Sequence, residues 1–125
     1  MIQEAIRLGC LLYLTGIKRI FGVAEIGSKL HPRKLCALLR SANWNWGRFG
    51  LLGVWCLAMG VIEGVGEDKK WFLESLVKEL GENNFGTLED SEGILRGFMW
   101  YEEIHTPLYR DTIRRLTSRG VHEIV

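Results

Sequence analysis

Residues 51–72, LLGVWCLAMGVIEGVGEDKKWF, decide the fold. The apolar block from Phe49 to Ile62 runs into Glu63 and a Gly64-Val65-Gly66 turn, and apolar character resumes at Trp71-Phe72 in an amphipathic pattern. A surface helix shows an apolar stripe and an opposite polar face, so apolarity all round means burial in a core or in a membrane. The block would rise roughly 21 Å as helix, at ~1.5 Å per residue. A hydrocarbon core of about 30 Å wants ~20 apolar residues. Gly50, Gly53 and Gly60 interrupt the block, and Gly53 and Gly60 read as places where a neighbouring helix comes close. The stretch is therefore a buried core helix, a tight turn, and a second helix lying back on the first.

IQEAIRLGCLLYLTGIKRIF predicts a first helix over 2–21. Leu8, Leu11, Leu12 and Ile17, with Ala5, Leu14 and Phe21 beside them, cover more than half of its circumference. No Ser, Thr, Asp or Asn precedes it as a cap, which is what the start of a truncated domain would look like. Gly22 is the stop, and Val23 to His31 a polar connection. A second helix, 32–42, opens at Pro32, with Leu35, Leu38, Leu39 and Ala42 at helical spacing. Asn43 to Gly47 is a turn carrying Trp44 and Trp46, and the buried helix spans 48–63.

The fourth helix, 67–80, has Glu67 and Asp68 in its first turn, where acids suit the dipole, and ends at Gly81. Asn83 to Gly86 is a loop. Thr87-x-x-Asp90 resembles a capping box opening a fifth helix, 88–105, whose inward stripe is Ile94, Leu95, Phe98 and Met99. Thr106-Pro107 starts a sixth, 107–117, with Tyr109, Ile113 and Leu116 facing in, and Arg119-Gly120 closes it. The expectation is an all-α, irregular bundle of about six helices in one domain, 1–120, with a frayed tail at 121–125.

Composition agrees. A chain of 125 residues, 47% apolar and 25% charged, is an ordinary globular domain able to bury a core. Five tryptophans give it much surface to hide. The net charge of +1 divides unevenly: +6 over residues 1–62, −7 over 63–103 and +2 over the remainder. Basic and acidic segments are expected to face each other within the fold or across an assembly. Cys10, Cys36 and Cys56 are an odd count in apolar surroundings without CxxC spacing, which reads as reduced core cysteines of an intracellular protein.

Motifs for chemistry are fragments. Gly64-x-Gly66 follows a helix and is flanked by Glu63, Glu67 and Asp68, which would repel phosphate. Glu102-x-x-His105 is half of a di-iron helix motif, and it reads as a solvated helix end. His31 and His122 stand alone in polar segments. Helices two and three could mimic a helix-turn-helix, but the recognition helix would offer a base only Arg48. No enzyme, metal or cofactor is expected.

Three blocks in order are similar to a known family. Glu4 to Leu14 (EAIRLGCLLYL), the 51–72 segment with its Trp55 and Trp71-Phe72, and Leu95 to Glu102 (LRGFMWYE) followed by Pro107 resemble the C-terminal part of the fungal-specific transcription factor domain. That domain is the helical regulatory region of fungal binuclear zinc-cluster transcription factors. The six-cysteine zinc cluster is missing, and Arg115-Leu116 stands where the family pattern often has an aromatic. The resemblance implies a non-catalytic regulatory and interaction role in the nucleus, without direct nucleic-acid contact or a membrane. It also implies that this chain is the end of a longer helical region. The implied site residues are core anchors: Tyr13, Trp55, Trp71, Phe98 and Trp100. Residues 1–62 would then pack on a protein partner or on further helices of the full domain. The alternative is a self-contained small helical module whose tryptophans enclose an apolar effector.

Overall fold

The computed structural model describes residues 2–22, 30–41 and 46–124, with side chains for all of these except Arg48 and 118–124. The described residues form six α-helices and no strands: α1 (Ile2–Ile20), α2 (Leu30–Arg40), α3 (Gly50–Glu63), α4 (Gly66–Glu82), α5 (Leu88–Leu95) and α6 (Glu102–Ile124). A 3-10 turn, Gly47–Phe49, leads into α3. The all-α bundle is thus as expected. The connection at 23–29, the turn at 42–45 with Trp44, and Val125 lie outside the described residues.

Helix α3 is the hub. Every residue from Gly53 to Ile62 is buried, and α1, α2, α4, α5 and α6 all pack against it. Among the described residues no helix is long and apolar enough to cross a membrane. The glycines of α3 act as sockets for rings more than as places for backbone approach. A Cβ on Gly53 would lie 2.7 Å from the Trp46 ring, and one on Gly60 would overlap the Phe72 ring of α4. Gly9 of α1 receives Trp55 in the same way, at 2.7 Å. Burying one such ring is worth about 1.5–3 kcal/mol, and it requires that the facing position have no side chain.

Helix ends follow local chemistry. Gly22, at φ +72°, closes α1, where a left-handed residue suits glycine. The end of α4 differs from the expected stop at Gly81: the helix runs to Glu82, and Asn84 takes the left-handed position at φ +57°. Phe85 N–H then bonds Leu80 C=O at 2.9 Å and Asn84 N–H bonds Gly81 C=O at 3.2 Å, the two bonds of a Schellman motif. At α5, Thr87 N–H donates to Asp90 Oδ2 at 3.0 Å, so aspartate fills the capping-box role as predicted.

The fifth and sixth helices need the larger correction. The expected helix 88–105 stops at Leu95, and Arg96 to Tyr101 form a strap before α6 begins at Glu102. Gly97 weakens the helix there by about 1 kcal/mol relative to Ala. The backbone groups released find other partners: Trp55 Nε1–H donates to Met99 C=O at 2.8 Å, and Tyr101 N–H donates to His105 Nδ1 at 2.9 Å. Met99, expected inside, is exposed. Pro107 lies inside α6, and Thr106 caps nothing; its Oγ1 accepts Trp100 Nε1–H at 2.9 Å. Helix α6 continues through Gly120 to Ile124, past the expected stop at Arg119-Gly120. Similarly, α2 begins at Leu30, two residues before Pro32, and is assigned as far as Arg40.

Candidate functional site

The five expected anchors do not all occupy the core. Trp55 is fully buried at the α1–α3 contact. Tyr13, Trp71, Phe98 and Trp100 are half-buried and pack on the core from its edge. Tyr13 stacks on His105 with ring centroids 4.9 Å apart. Trp71 lies edge-on to Phe72 at 5.5 Å and receives the Arg40 guanidinium 5.6 Å from its ring centroid. Trp100 meets Tyr109 edge-on at 5.5 Å. Residues left off the anchor set are buried deeper. Phe72 and Tyr109 are wholly inside, and Trp46 fills the Gly53 socket. Tyr109 was legible from spacing along its own helix, whereas Phe72 and Trp46 are marked by the glycines that receive them, Gly60 and Gly53, a pairing that spacing along one helix does not carry.

The Tyr109 hydroxyl bonds Ser91 Oγ at 2.8 Å, and Ser91 donates its own proton to Leu88 C=O at 2.5 Å, so Tyr109 is the donor of the buried pair. Burial pushes the Tyr109 phenol up to about 12. Burial also drives the Cys56 thiol up to about 12, so it stays a thiol at neutral pH. Cys10, Cys36 and Cys56 are all free.

Two features stand apart from ordinary core packing. The first is a polar junction of α1, α3 and α6. Arg19 of α1 pairs with Glu63 Oε1 at the end of α3, and the Glu63 side chain is only 6% exposed. This pair also links the basic and acidic segments. His105, expected as a solvated helix end, is 1% exposed. Its motif partner Glu102 turns away to Arg96, whose guanidinium lies at 2.9 Å and holds the Glu102 carboxyl down at about 2. Glu102 and His105 therefore do not converge.

The second feature is the outer face of α1. Ala5, Leu8, Leu12, Thr15 and Gly16 face the bundle. Ile6, Cys10, Leu14, Ile17 and Phe21 recur at the same helical spacing on another face, with Ile20 beside them. On this face Leu14 is 40%, Ile20 63% and Phe21 76% exposed, and Ile6, Cys10 and Ile17 are half-buried. Leu30, at the start of α2, is exposed as well. Helix α1 is thus apolar on two sides, one in the core and one in water. Covering an aromatic or branched side chain of this kind is worth about 1.5–3 kcal/mol, so the outer face is a standing attraction for another apolar surface. Comparison of the chain with protein-family models, curated proteins and solved structures found no match.

Proposed function

We propose that this chain is a non-catalytic regulatory and interaction region, of the kind found at the C-terminal end of the fungal-specific transcription factor domain, and that it works in the nucleus without touching DNA itself. The observation that carries the reading is the outer face of α1, a second apolar stripe at helical spacing that ends in the exposed Ile20 and Phe21. A helix laying its own apolar stripe along this face would read it as anchors three and four residues apart. Its source is a protein partner or further helices of a larger regulatory domain. The packing of the three sequence blocks on one another supports the family reading. Trp55 of the middle block sits over Gly9 of the first and bonds Met99 of the third.

The test is a reporter assay in a fungal cell, with the chain fused to a heterologous DNA-binding domain. The expected result is a change in reporter output that the pair Leu14→Ser and Phe21→Ser abolishes. Output equal to that of the DNA-binding domain alone contradicts the regulatory role. Mapping of the transcript addresses the family separately: an in-frame zinc cluster upstream supports the resemblance, and an open reading frame beginning at Met1 removes the expectation of a longer helical region.

A further inference from the structure

At the junction of α1, α3 and α6, two buried titratable side chains face one glycine. A Cβ built on Gly16 would lie 3.4 Å from Glu63 Oε2 and 3.5 Å from His105 Nε2. Neither atom has a hydrogen-bond partner among the described residues. On the far side of the ring, His105 Nδ1 accepts Tyr101 N–H. Because Nδ1 is an acceptor, the ring proton of the neutral imidazole is on Nε2. Histidine here performs the reciprocal half of a capping box: a side chain of the first turns of α6 satisfies the backbone N–H just ahead of it.

A second proton can enter only at Nδ1. It would set one N–H against another, and the Tyr101 bond would be lost. Across Gly16 from the ring lies the Glu63 carboxylate, paired with Arg19 through Oε1 and with Oε2 unpartnered. We propose that His105 is a proton-operated latch: neutral, it holds Tyr101 and the 96–101 strap against the bundle; protonated, it turns to Glu63 and lets the strap go. Other tethers of the strap remain, among them Trp55 to Met99, Trp100 to Thr106, Arg96 to Glu102 and the Tyr101 carbonyl to the Ile104 and His105 amides, so release is local. The strap presents Met99 and Tyr101, 43% and 48% exposed, and its movement changes that apolar surface.

The groups that face His105 come from several elements. Helix α1 contributes Tyr13, stacked on the ring, and the Tyr13 backbone, which bears on His105 without reaching hydrogen-bonding geometry at Nε2. Helix α3 contributes Glu63, backed by Arg19 of α1 and by Lys69 of α4, whose amine burial draws down. The strap contributes Trp100, 5.3 Å away, with Tyr109 of α6 behind it. Burial holds the His105 imidazole below its ordinary 6.5. The unfolded chain therefore takes up this proton first, and the stability contributed by neutral His105 is complete above 6.5 and lost as pH falls towards the folded value.

An NMR titration of the full chain tests the latch by following the His105 ring and the Tyr101 amide together. The expected result is a His105 midpoint below 6.5, with hydrogen-exchange protection at Tyr101 lost at that same midpoint. Glu63→Gln removes the counter-charge and lowers the midpoint by about 0.5 unit or more. His105→Gln keeps a neutral acceptor and removes the Tyr101 response. A Tyr101 amide that stays protected across the His105 midpoint overturns the latch, as does a midpoint that Glu63→Gln leaves in place. Should a variant fail to fold, the co-titration in the unaltered chain decides alone.

Discussion

Gly60 and Gly93 are both helical glycines, and they answer substitution in opposite ways. At Gly60 an added methyl would enter the Phe72 ring, which is fully buried and has no room to retreat. Gly60→Ala is therefore expected to cost about 1–3 kcal/mol through overpacking. At Gly93, within α5, a Cβ meets nothing within 4 Å, and Gly93→Ala should stabilise by about 0.5–1 kcal/mol through the lower backbone entropy of alanine. Urea unfolding of the two variants checks both signs. A neutral Gly60→Ala would mean that Phe72 does not occupy its socket. The sequence marks Gly60 as a place of close approach but not its occupant, because a ring arriving from another helix leaves no trace in local spacing.

The start of α5 depends on a charged group. Hydrogen bonds from the Thr87 backbone and hydroxyl hold the Asp90 carboxyl below its ordinary 3.8. Its contribution is present above 3.8 and is lost as pH falls through the lowered folded value. Asp90→Asn is expected to melt earlier than the unaltered chain at neutral pH, with the gap closing below 3.8 in thermal scans at stepped pH. A gap that persists unchanged into acid would show that the charge plays no part. This cap was legible in Thr87-x-x-Asp90 because all of its partners lie within four residues. The break at 96–101 was not. Local pattern carries Ile94, Leu95, Phe98 and Met99 along one helical stripe, and the bond from Trp55 that receives the Met99 carbonyl outside the helix comes from 44 residues away. The same holds for His105 itself, which looks solvated beside Glu102 in sequence but is enclosed by Tyr13, Trp100 and Glu63 in space.

For the whole molecule, the feature that matters is an imbalance. Helix α3 is buried throughout from Gly53 to Ile62, as its apolar sequence requires, whereas α1 carries a second apolar stripe on its outer face. That surplus was legible in residues 2–21, where apolar positions cover more than half of the helix; which of them would stay in water depended on how α1 rolls against α2 and α3. On the proposed function, this outer face takes a partner and adds nothing to the fold's own stability. The most direct measurement compares the unaltered chain with the double variant Leu14→Ser and Phe21→Ser, by binding of a hydrophobic dye and by sedimentation, alongside circular dichroism and melting. The unaltered chain is expected to bind dye and self-associate, and the variant to do neither while keeping its helicity and its melting temperature. An unaltered chain that is monomeric and silent to the dye, or a variant that loses its helices, would contradict it.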